Sequence, residues 1–534
     1  MLISVSLGLF MALLDATIVT ISVPAMIADF HVSVEKASWV MSGYNLTFAV
    51  LLLTMGRLAD QYGQKRVFLI GLFSFTLFSL LCGLASNVEW LIGARVGQAF
   101  GAAAMVPISF SILIGVFPKE KHGMVTGLLS AVGAVAASLG PTLGGLLIEY
   151  RSWHWIFLIN IPIGLIAFFA SWRLVQEQKV ANSSKIDFGG IVLSGIGLFL
   201  LTFSMIKSNE WGWDSVKFNS TLIASVFFLI LFVIWEIRSK NPMINMKLFT
   251  IRSFVASNLA TFLIGIATMG VMFLLVIFMV EVMGYTELKA AIAITPMPIT
   301  TLLVSPIVGK LVDRLGPRLF IVTGSIIFAL GLLSLSYLSK DIVLMDIVWR
   351  TMVVGIGMGF TLPPLMSAGM ESLPKKVRGV GSGALNMFRQ LGFVIGVALL
   401  VALFTQSAND NFSAAKEEAR ELVMSQSMLP DPIKNKMLEE ILKATFDENT
   451  GTTISEHLKL PENLPKPIVN VVNDLKKDLK NIFLTKLVES FTLPFWIAAL
   501  AALLSVIPAM LIKKEKKTWK DSQKMRHEVD QHLL

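Results

Sequence analysis

Residues 56–66 read GRLADQYGQKR, and residues 309–318 read GKLVDRLGPR. Two glycines and an aspartate recur between these stretches at a constant offset of 253 residues, so that Gly56, Asp60 and Gly63 match Gly309, Asp313 and Gly316. Arg95 recurs as Arg350 at an offset of 255, and Gly140 recurs as Gly396 at an offset of 256. Matches at nearly the same offset along the chain indicate an internal duplication. The chain is therefore predicted to contain two copies of one structural unit.

The composition places these two units in a lipid bilayer. Of the 534 residues, 54% are hydrophobic and only 15% are charged, which is too apolar for an ordinary soluble protein. Continuous apolar runs of about 20 residues, the length that crosses the hydrocarbon as a helix, recur along the chain, whereas a transmembrane barrel would alternate polar and apolar residues. The runs predict an all-α integral membrane protein with fourteen spans.

The basic residues predict the orientation of these spans. Most Lys and Arg residues lie in alternate short loops, for example Lys65, Arg66 and Arg173, and such residues concentrate on the cytoplasmic side of a membrane. Both termini are therefore expected to be cytoplasmic, and the net charge of +9 needs no nucleic acid as a partner. Cys82, the single cysteine, falls within a span, so neither an intrachain disulfide nor a cysteine-based metal site is expected.

With six spans per repeat unit, the chain divides into segments. These are an N-terminal six-helix bundle (1–186), two accessory transmembrane helices (187–237), the first five helices of a C-terminal bundle (238–404), an extracellular loop (405–488), the last transmembrane helix (489–512) and a cytoplasmic tail (513–534). The first run carries an acid and no basic segment before it, so we expect a span rather than a cleaved signal peptide. Because hydrophobic sequence begins at Met1, a few preceding cytoplasmic residues are expected to be absent from this chain. The long loop is either a spacer or a folded cap.

Asp15 lies near the middle of the first span. At about 1.5 Å per residue it is close to the centre of the bilayer, where an ionised side chain costs roughly 2.5–3.5 kcal/mol on insertion scales. A carboxyl group there must either hold a proton or face a cation, which is the minimal device for exchanging the two. The alternative is a structural acid satisfied by a neighbouring hydroxyl or amide, for instance on Asn45.

Arg95 lies inside the fourth span, where its guanidinium must find carboxylate or carbonyl partners. Arg95 either holds neighbouring helices together or modulates a nearby proton site. Three polar residues of the thirteenth span, Asn386, Arg389 and Gln390, could line an inner cavity together with Asn45, or form a packing cluster on the cytoplasmic side.

Glycines shape two other motifs. In residues 56–66, Gly56 and Gly63 would permit a tight cytoplasmic turn and close helix approach, while Asp60 and Arg66 would form ion pairs across the repeat interface that open and close as a latch. In the fifth span, small residues and a proline predict a closely packed but movable face: Gly133, Gly140, Pro141, Gly144 and Gly145. A purely packing role is equally compatible with this face.

Together these motifs resemble those of the major facilitator superfamily, over nearly the whole chain. Residues 56–66 resemble its loop motif between the second and third spans, and residues 140–145 (GPTLGG) resemble the fifth-span motif of its antiporters rather than its symporters. Residues 14–19 (LDATIV), followed by Pro24, resemble the first-span motif of the fourteen-span drug:proton antiporters, which include multidrug exporters of the quaternary-ammonium type. Residues 95–98 (RVGQ), with Gly101, resemble a fourth-span motif implicated in proton transfer.

The resemblance implies two six-helix bundles plus two extra central transmembrane helices, which rock between inward- and outward-facing states. It implies that Asp15 is the protonation and substrate-coupling acid, Arg95 its relay, Asp60 part of the latch, and Gly140 with Pro141 the antiporter seal. Some relatives that export divalent cations carry an additional acid in the tenth span, but residues 295–307 hold none, which puts dication export in doubt. Asp15 is then expected to be a solitary acid on the cavity side, which favours monovalent cations. The expected function is proton-coupled efflux of lipophilic, monovalent cationic drugs by a monomer in a bacterial-type plasma membrane.

The sequence suggests two other functions. The same scaffold could export a single metabolite, lipid or antibiotic, which a narrow substrate profile would reveal. A membrane enzyme or sensor is disfavoured because the histidines are scattered and no HExxH-like motif occurs. Since phosphate-binding loops are also absent from the sequence, we expect no cofactor, no metal and no ATP as the energy source.

Overall fold

The computed structural model describes residues 1–116, 122–177, 187–240, 242, 246–373, 378–426, 429–443 and 466–512. Every regular element within these ranges is helical. Helices are the expected outcome, because a backbone in hydrocarbon must satisfy its own N–H and C=O groups within the segment. The predicted tail at 513–534 lies outside the described residues.

The N-terminal half forms one bundle. Its helices are α1 (Leu2–Phe30), α2 (Val34–Tyr62), α3 (Gln64–Gly83), α4 (Val88–Val116), α5 (His122–Tyr150), a single turn α6 (Trp155–Leu158) and α7 (Asn160–Leu174). Within it, α1 packs on α5, α4 and α7, while α3 packs on α4 and α7. This arrangement brings α1, α3, α4 and α7 around one interior, and the site described below lies there.

Two hydrophobic helices follow, α8 (Phe188–Trp211) and α9 (Val216–Arg238). They form a hairpin in which α8 also contacts α2 and a long helix of the C-terminal half, α15 (Arg378–Ser425). The apolar window of α9 is only 11% buried, against 83% for the span at Arg252–Val282, so α9 lies at the periphery of the molecule. A peripheral position agrees with the accessory role expected of this pair.

The C-terminal half repeats the bundle. A short 3-10 turn (Met246–Thr250) leads into α10 (Arg252–Ile277) and a π-turn (Phe278–Val282). Next come α11 (Glu287–Ile294), α12 (Pro296–Leu315), α13 (Pro317–Leu335), α14 (Leu344–Glu371) and α15 (Arg378–Ser425). The last membrane segment consists of α18 (Thr492–Leu504) and α19 (Val506–Leu511), which pack on α10 and α13.

The sequence repeat is visible in the backbone. Gly63 ends α2 with φ 106°, and Gly316 ends α12 with φ 84°. Both values lie in the left-handed region that favours glycine. The matched glycines therefore make the same sharp turn in the two halves, as the duplication predicted.

The two bundles meet along two seams. On one side α2 packs on α15, and on the other α5 packs on α11 and α12, with α1 reaching α10 between them. At the α5 seam, Thr142 and Thr295 share a hydrogen bond of 2.8 Å between their hydroxyl groups. A Cβ on Gly145 would lie 2.7 Å from the Cα of Leu288, so the backbones of α5 and α11 touch there.

The segment predicted as an extracellular loop contains helices with a core of their own. The helix α15 continues past residue 404 to Ser425 and is followed by α16 (Asp431–Lys443) and α17 (Lys466–Ser490). Their buried apolar residues include Phe412, Met437 and Leu479. Of the two possibilities raised by the sequence, a folded cap matches this packing better than a spacer.

Twelve helical segments of the described residues are long and apolar enough to cross a membrane. The two remaining predicted spans coincide with α2 and α5, which are not among these twelve. The total of fourteen spans and the cytoplasmic position of both termini therefore stay predictions.

Candidate functional site

The centre of the N-terminal bundle holds a buried ion pair. Arg95 of α4 donates through Nη1 to the Oδ2 atom of Asp15 on α1. Asp15 is 0% exposed and Arg95 is 1% exposed. Charges in such surroundings persist only when they are paired and hydrogen-bonded, so each of these residues explains why the other is tolerated in a span.

Two amides complete the surroundings of the carboxylate. Gln98, one turn along α4 from Arg95, donates to Asp15 Oδ1 at 3.0 Å, and Asn160 at the start of α7 donates to the same oxygen at 3.4 Å. Both amides also donate to the hydroxyl of Ser79 on α3, at 3.1 Å and 3.0 Å. Side chains from α1, α3, α4 and α7 thus converge on one carboxylate.

The guanidinium of Arg95 has partners besides Asp15. Its Nη1 donates to Gln98 Oε1 at 2.7 Å, and its Nε donates to the backbone oxygen of Val40 on α2 at 3.3 Å. Its Cζ atom lies 3.9 Å from the ring centroid of Tyr44, a cation–π geometry. Arg95 would therefore keep several favourable contacts if Asp15 took up a proton and lost its charge.

The network corrects two expectations about Asp15. Asn45 is buried on α2, but the structure records no hydrogen bond between it and the Asp15 carboxylate, whose amide partners are Gln98 and Asn160. Asp15 was also expected to be a solitary acid facing the cavity. In the structure it is enclosed within one bundle and paired with Arg95, because α4 and α7 close over α1 at this level.

The loop at residues 56–66 has its partner in its own half. The backbone N–H of Lys65 donates to Glu177 Oε1 at 3.0 Å, and Arg66 Nε lies 3.7 Å from Glu177 Oε2. The expected ion pair across the repeat interface is not the one recorded for Arg66. A Cβ on Gly56 would meet nothing within 4 Å, so close helix approach at Gly56 is not observed either. The side chain of Asp60 lies outside what the structure describes.

The small-residue face of α5 divides between two neighbours. Gly140 packs against Thr17 and Ile18 of α1, and Gly144 packs against Ile18 and Ile21. Gly145, in contrast, meets α11 of the other bundle. A Cβ on Gly133 would lie 3.0 Å from the Leu13 side chain of α1, and Pro141 is buried within the helix. The face therefore joins the Asp15 helix to the seam between the bundles.

The polar residues of the thirteenth predicted span lie on α15. Arg389 Nη2 donates to Asn386 Oδ1 at 2.9 Å. The Nε atom of Arg389 and the Oε1 atom of Gln390 are buried without a hydrogen-bond partner. These residues belong to the C-terminal bundle, and none of their recorded hydrogen bonds reaches the Asp15 network.

Three residues near the Asp15 carboxylate, and one beside the loop at residues 56–66, were not predicted from the sequence. Ser79, Asn160 and Tyr44 lie in or beside apolar runs, where an unexplained polar side chain is the only available signal, and Glu177 follows the end of α7. None of them is adjacent in sequence to the group that it contacts. Only the folded bundle identifies them as partners.

Comparison with known proteins agrees with this architecture. The model of the Major Facilitator Superfamily matches residues 5–397. The chain is 32% identical to the multidrug resistance protein Stp of Mycobacterium tuberculosis over 83% of this chain and 80% of that protein. It is 31% identical to multidrug resistance protein 3 of Bacillus subtilis over 81% of this chain and 88% of that protein.

A solved structure shares the fold. The crystal structure of a bacterial homologue of the human lysosomal transporter Spinster, in an inward-facing and unoccupied conformation, aligns with a TM-score of 0.61 at 14% identity, covering 96% of each chain. The chain is a multi-pass protein whose bacterial relatives are membrane transporters rather than enzymes, which places it in the plasma membrane. With its family model spanning most of its length, this chain belongs to the major facilitator superfamily.

Proposed function

We propose that the chain exports lipophilic small molecules in exchange for protons, by alternating access of its two bundles. The observation that carries this proposal is the fully buried Asp15–Arg95 pair. Removing the charge of one partner of such a pair leaves the other uncompensated in a poorly solvated interior. Protonation of Asp15 would therefore change the balance of forces between α1 and α4 far more than protonation of a surface acid.

The surroundings of the pair suit a group that gains and loses a proton. When Asp15 is neutral, Arg95 can still use Gln98, the Val40 carbonyl and the Tyr44 ring. The neutral carboxyl group can donate its new proton, for instance toward the Ser79 and Asn160 side chains. Both protonation states of Asp15 thus have hydrogen-bonding partners, so the free-energy difference between them should be small enough for Asp15 to gain and lose a proton.

A contiguous set of contacts leads from the pair to the seam between the bundles. Thr17, two residues after Asp15 on α1, packs against Gly140 of α5. Five residues further along α5, Gly145 packs against Leu288 of α11. A small shift of α1 on protonation of Asp15 would be transmitted to this contact between the two bundles.

The substrate class follows in part from relatives named as multidrug resistance proteins. The expectation of a monovalent cation rested on a carboxylate open to the cavity, and Asp15 is closed off in this conformation. Cation preference stays a prediction, and so does the alternative of a dedicated exporter of one compound. A panel of cationic, neutral and anionic lipophilic compounds separates these possibilities.

The proposal is tested with the purified full chain in proteoliposomes. An imposed pH gradient should drive uphill dye accumulation, and dye added without a gradient should move protons in the opposite direction. A protonophore should abolish the accumulation. Substrate movement that is indifferent to the pH gradient and to the protonophore would refute proton coupling, while movement of a single compound from the panel would favour the dedicated exporter.

A further inference from the structure

The C-terminal bundle contains a guanidinium without a compensating acid. Arg389 lies eleven residues after the start of α15, about 16 Å along the helix, and thus near the middle of a bilayer about 30 Å thick. Among the residues that the structure describes, no carboxylate lies within ion-pair distance of it, and the one side-chain partner recorded is the neutral amide of Asn386. Charged side chains at this depth are rare and usually mark a substrate or ion pathway.

The helical geometry shows which way this region of α15 faces. Successive residues of an α-helix are about 100° apart around its axis. Gly392 packs against Phe262 and Gly265 of α10. Counted from Gly392, Arg389 lies at roughly 60°, while Val394, which packs with residues of α2, lies at roughly 200°.

Asn386 and Gln390 lie on the same arc, at roughly 120° and 160°. Met387, at roughly 220°, packs with Ile191 of the accessory helix α8, and it lies about 160° from Arg389 but only about 60° from Gln390. Arg389 therefore faces away from α8, between the side of α15 that meets α10 and the side that meets α2. Arg389 is only partly exposed there.

The atoms on this arc are matched to an oxyanion. The Nε–H of Arg389 is buried and has no partner. Together with a neighbouring Nη–H it forms a side-on fork that fits the two oxygens of a carboxylate. On the side of α10 that meets α15, Thr261 Oγ1 also lies buried without a partner, four residues before Gly265. One turn beyond Arg389, Phe393 offers an aromatic surface to the rest of a ligand.

We propose that Arg389 recognises an acidic group, a carboxylate or a similar oxyanion, on the lipophilic substrate, and that Asn386 orients the guanidinium for this contact. The inference rests on the proposed export function for its biological meaning, but the binding site itself does not depend on proton coupling. A substrate recognised by Arg389 in this way is anionic or zwitterionic, in contrast to the cation expected from the sequence.

The test uses a matched pair of probes and the full chain in detergent. The probes are a xanthene dye with a free carboxylate and the methyl ester of the same dye, and binding is followed by fluorescence anisotropy. The native chain should bind the acid about tenfold or more tightly than the ester, the expected size for a charged hydrogen bond. Arg389→Gln should remove this preference by weakening acid binding alone, and Arg389→Lys should retain part of it.

Arg350→Gln is the matched control. Arg350 also has a buried Nε without a partner, but it lies near the N-terminal end of α14, beside Trp349. It should keep the preference for the acid. The inference is overturned if the native chain fails to bind the acid or binds the ester equally well, a result that needs no variant to fold. It is also overturned if Arg389→Gln weakens both probes alike.

Flux of the same two dyes in proteoliposomes separates this inference from the proposed function. Preferential, Arg389-dependent acid binding without gradient-driven flux would uphold the site and reject proton-coupled export. Gradient-driven flux of both dyes without an acid preference would reject the site and uphold export.

Discussion

The guanidinium of Arg95 on α4 and the carboxylate of Asp15 on α1, eighty residues apart in sequence, form an ion pair that is closed to solvent on every side. The pair links α1, which packs on α5 and α10, to α4, which packs on α2 and α3. Because α1 also packs on α5, and α5 reaches the other bundle, the protonation state of one carboxyl group can bear on the arrangement of both halves.

Neutralising Asp15 alone should destabilise the bundle. Asp15→Asn leaves the Arg95 charge buried without its acid, and because Arg95 keeps its contacts with Gln98, Val40 and Tyr44, the loss should be smaller than the roughly 3–5 kcal/mol of an unsupported broken pair. Thermal unfolding in detergent should show this loss, and the double variant Asp15→Asn with Arg95→Met should recover most of it. If the double variant is as unstable as the sum of the single ones, the two residues do not act as a pair.

Gly145→Ala should disfavour the conformation described here. Its new Cβ would lie 2.7 Å from Leu288 Cα and 3.0 Å from Ala291 Cβ, and the backbone of α11 cannot yield as a flexible side chain would. Spin labels on α5 and α11 should report a longer average distance in the variant. Gly93→Ala is the control, because its Cβ would meet nothing within 4 Å. Unchanged distances in Gly145→Ala would show that the α5 seam is not a tight contact.

A covalent link across the same seam should stop transport. Thr142 and Thr295 have hydroxyl oxygens 2.8 Å apart, on opposite bundles. In a chain with Cys82→Ala, cysteines at both positions should form a disulfide on oxidation, block flux, and release it on reduction. Full flux in the cross-linked protein would argue against separation of α5 from α11 during the cycle.

Glu177→Gln should slow conformational exchange with little effect on stability. Exposed ion pairs contribute little to stability, but Glu177 also holds the backbone of Lys65 at the sharp turn that follows Gly63. Flux should fall while substrate affinity is unchanged. Glu210→Gln, in the exposed pair with Lys207, is the control. Equal flux in both variants would mean that Glu177 does not control the loop.

Much of the fold follows from the sequence, because its main determinants are local. Apolar runs of span length predict helices, and the duplicated glycine turns at Gly63 and Gly316 predict two similar halves. The positions of the accessory helices follow from the same pattern. The continuation of α15 past residue 404 and the packing of its end with α17 depend on apolar contacts between distant segments, such as Phe412 with Phe483.

The site was predicted less completely than the fold. Asp15 and Arg95 each stand out as an expensive charge in an apolar run, so their importance could be inferred one residue at a time. Their mutual contact, and the choice of Asn160 instead of Asn45 as an amide partner, depend on how α4 and α7 pack over α1. Periodicity along one helix contains no information about that packing.

The central claim is that protonation of Asp15 couples the two bundles to the proton gradient. The most direct measurement compares, for Asp15→Asn and the native chain in proteoliposomes, dye accumulation under an imposed pH gradient with dye exchange at equal pH. Glu89→Gln, which alters an exposed pair with Lys36, serves as the control. The account predicts that Asp15→Asn exchanges dye but no longer accumulates it, whereas uphill accumulation by Asp15→Asn at the native level would contradict it.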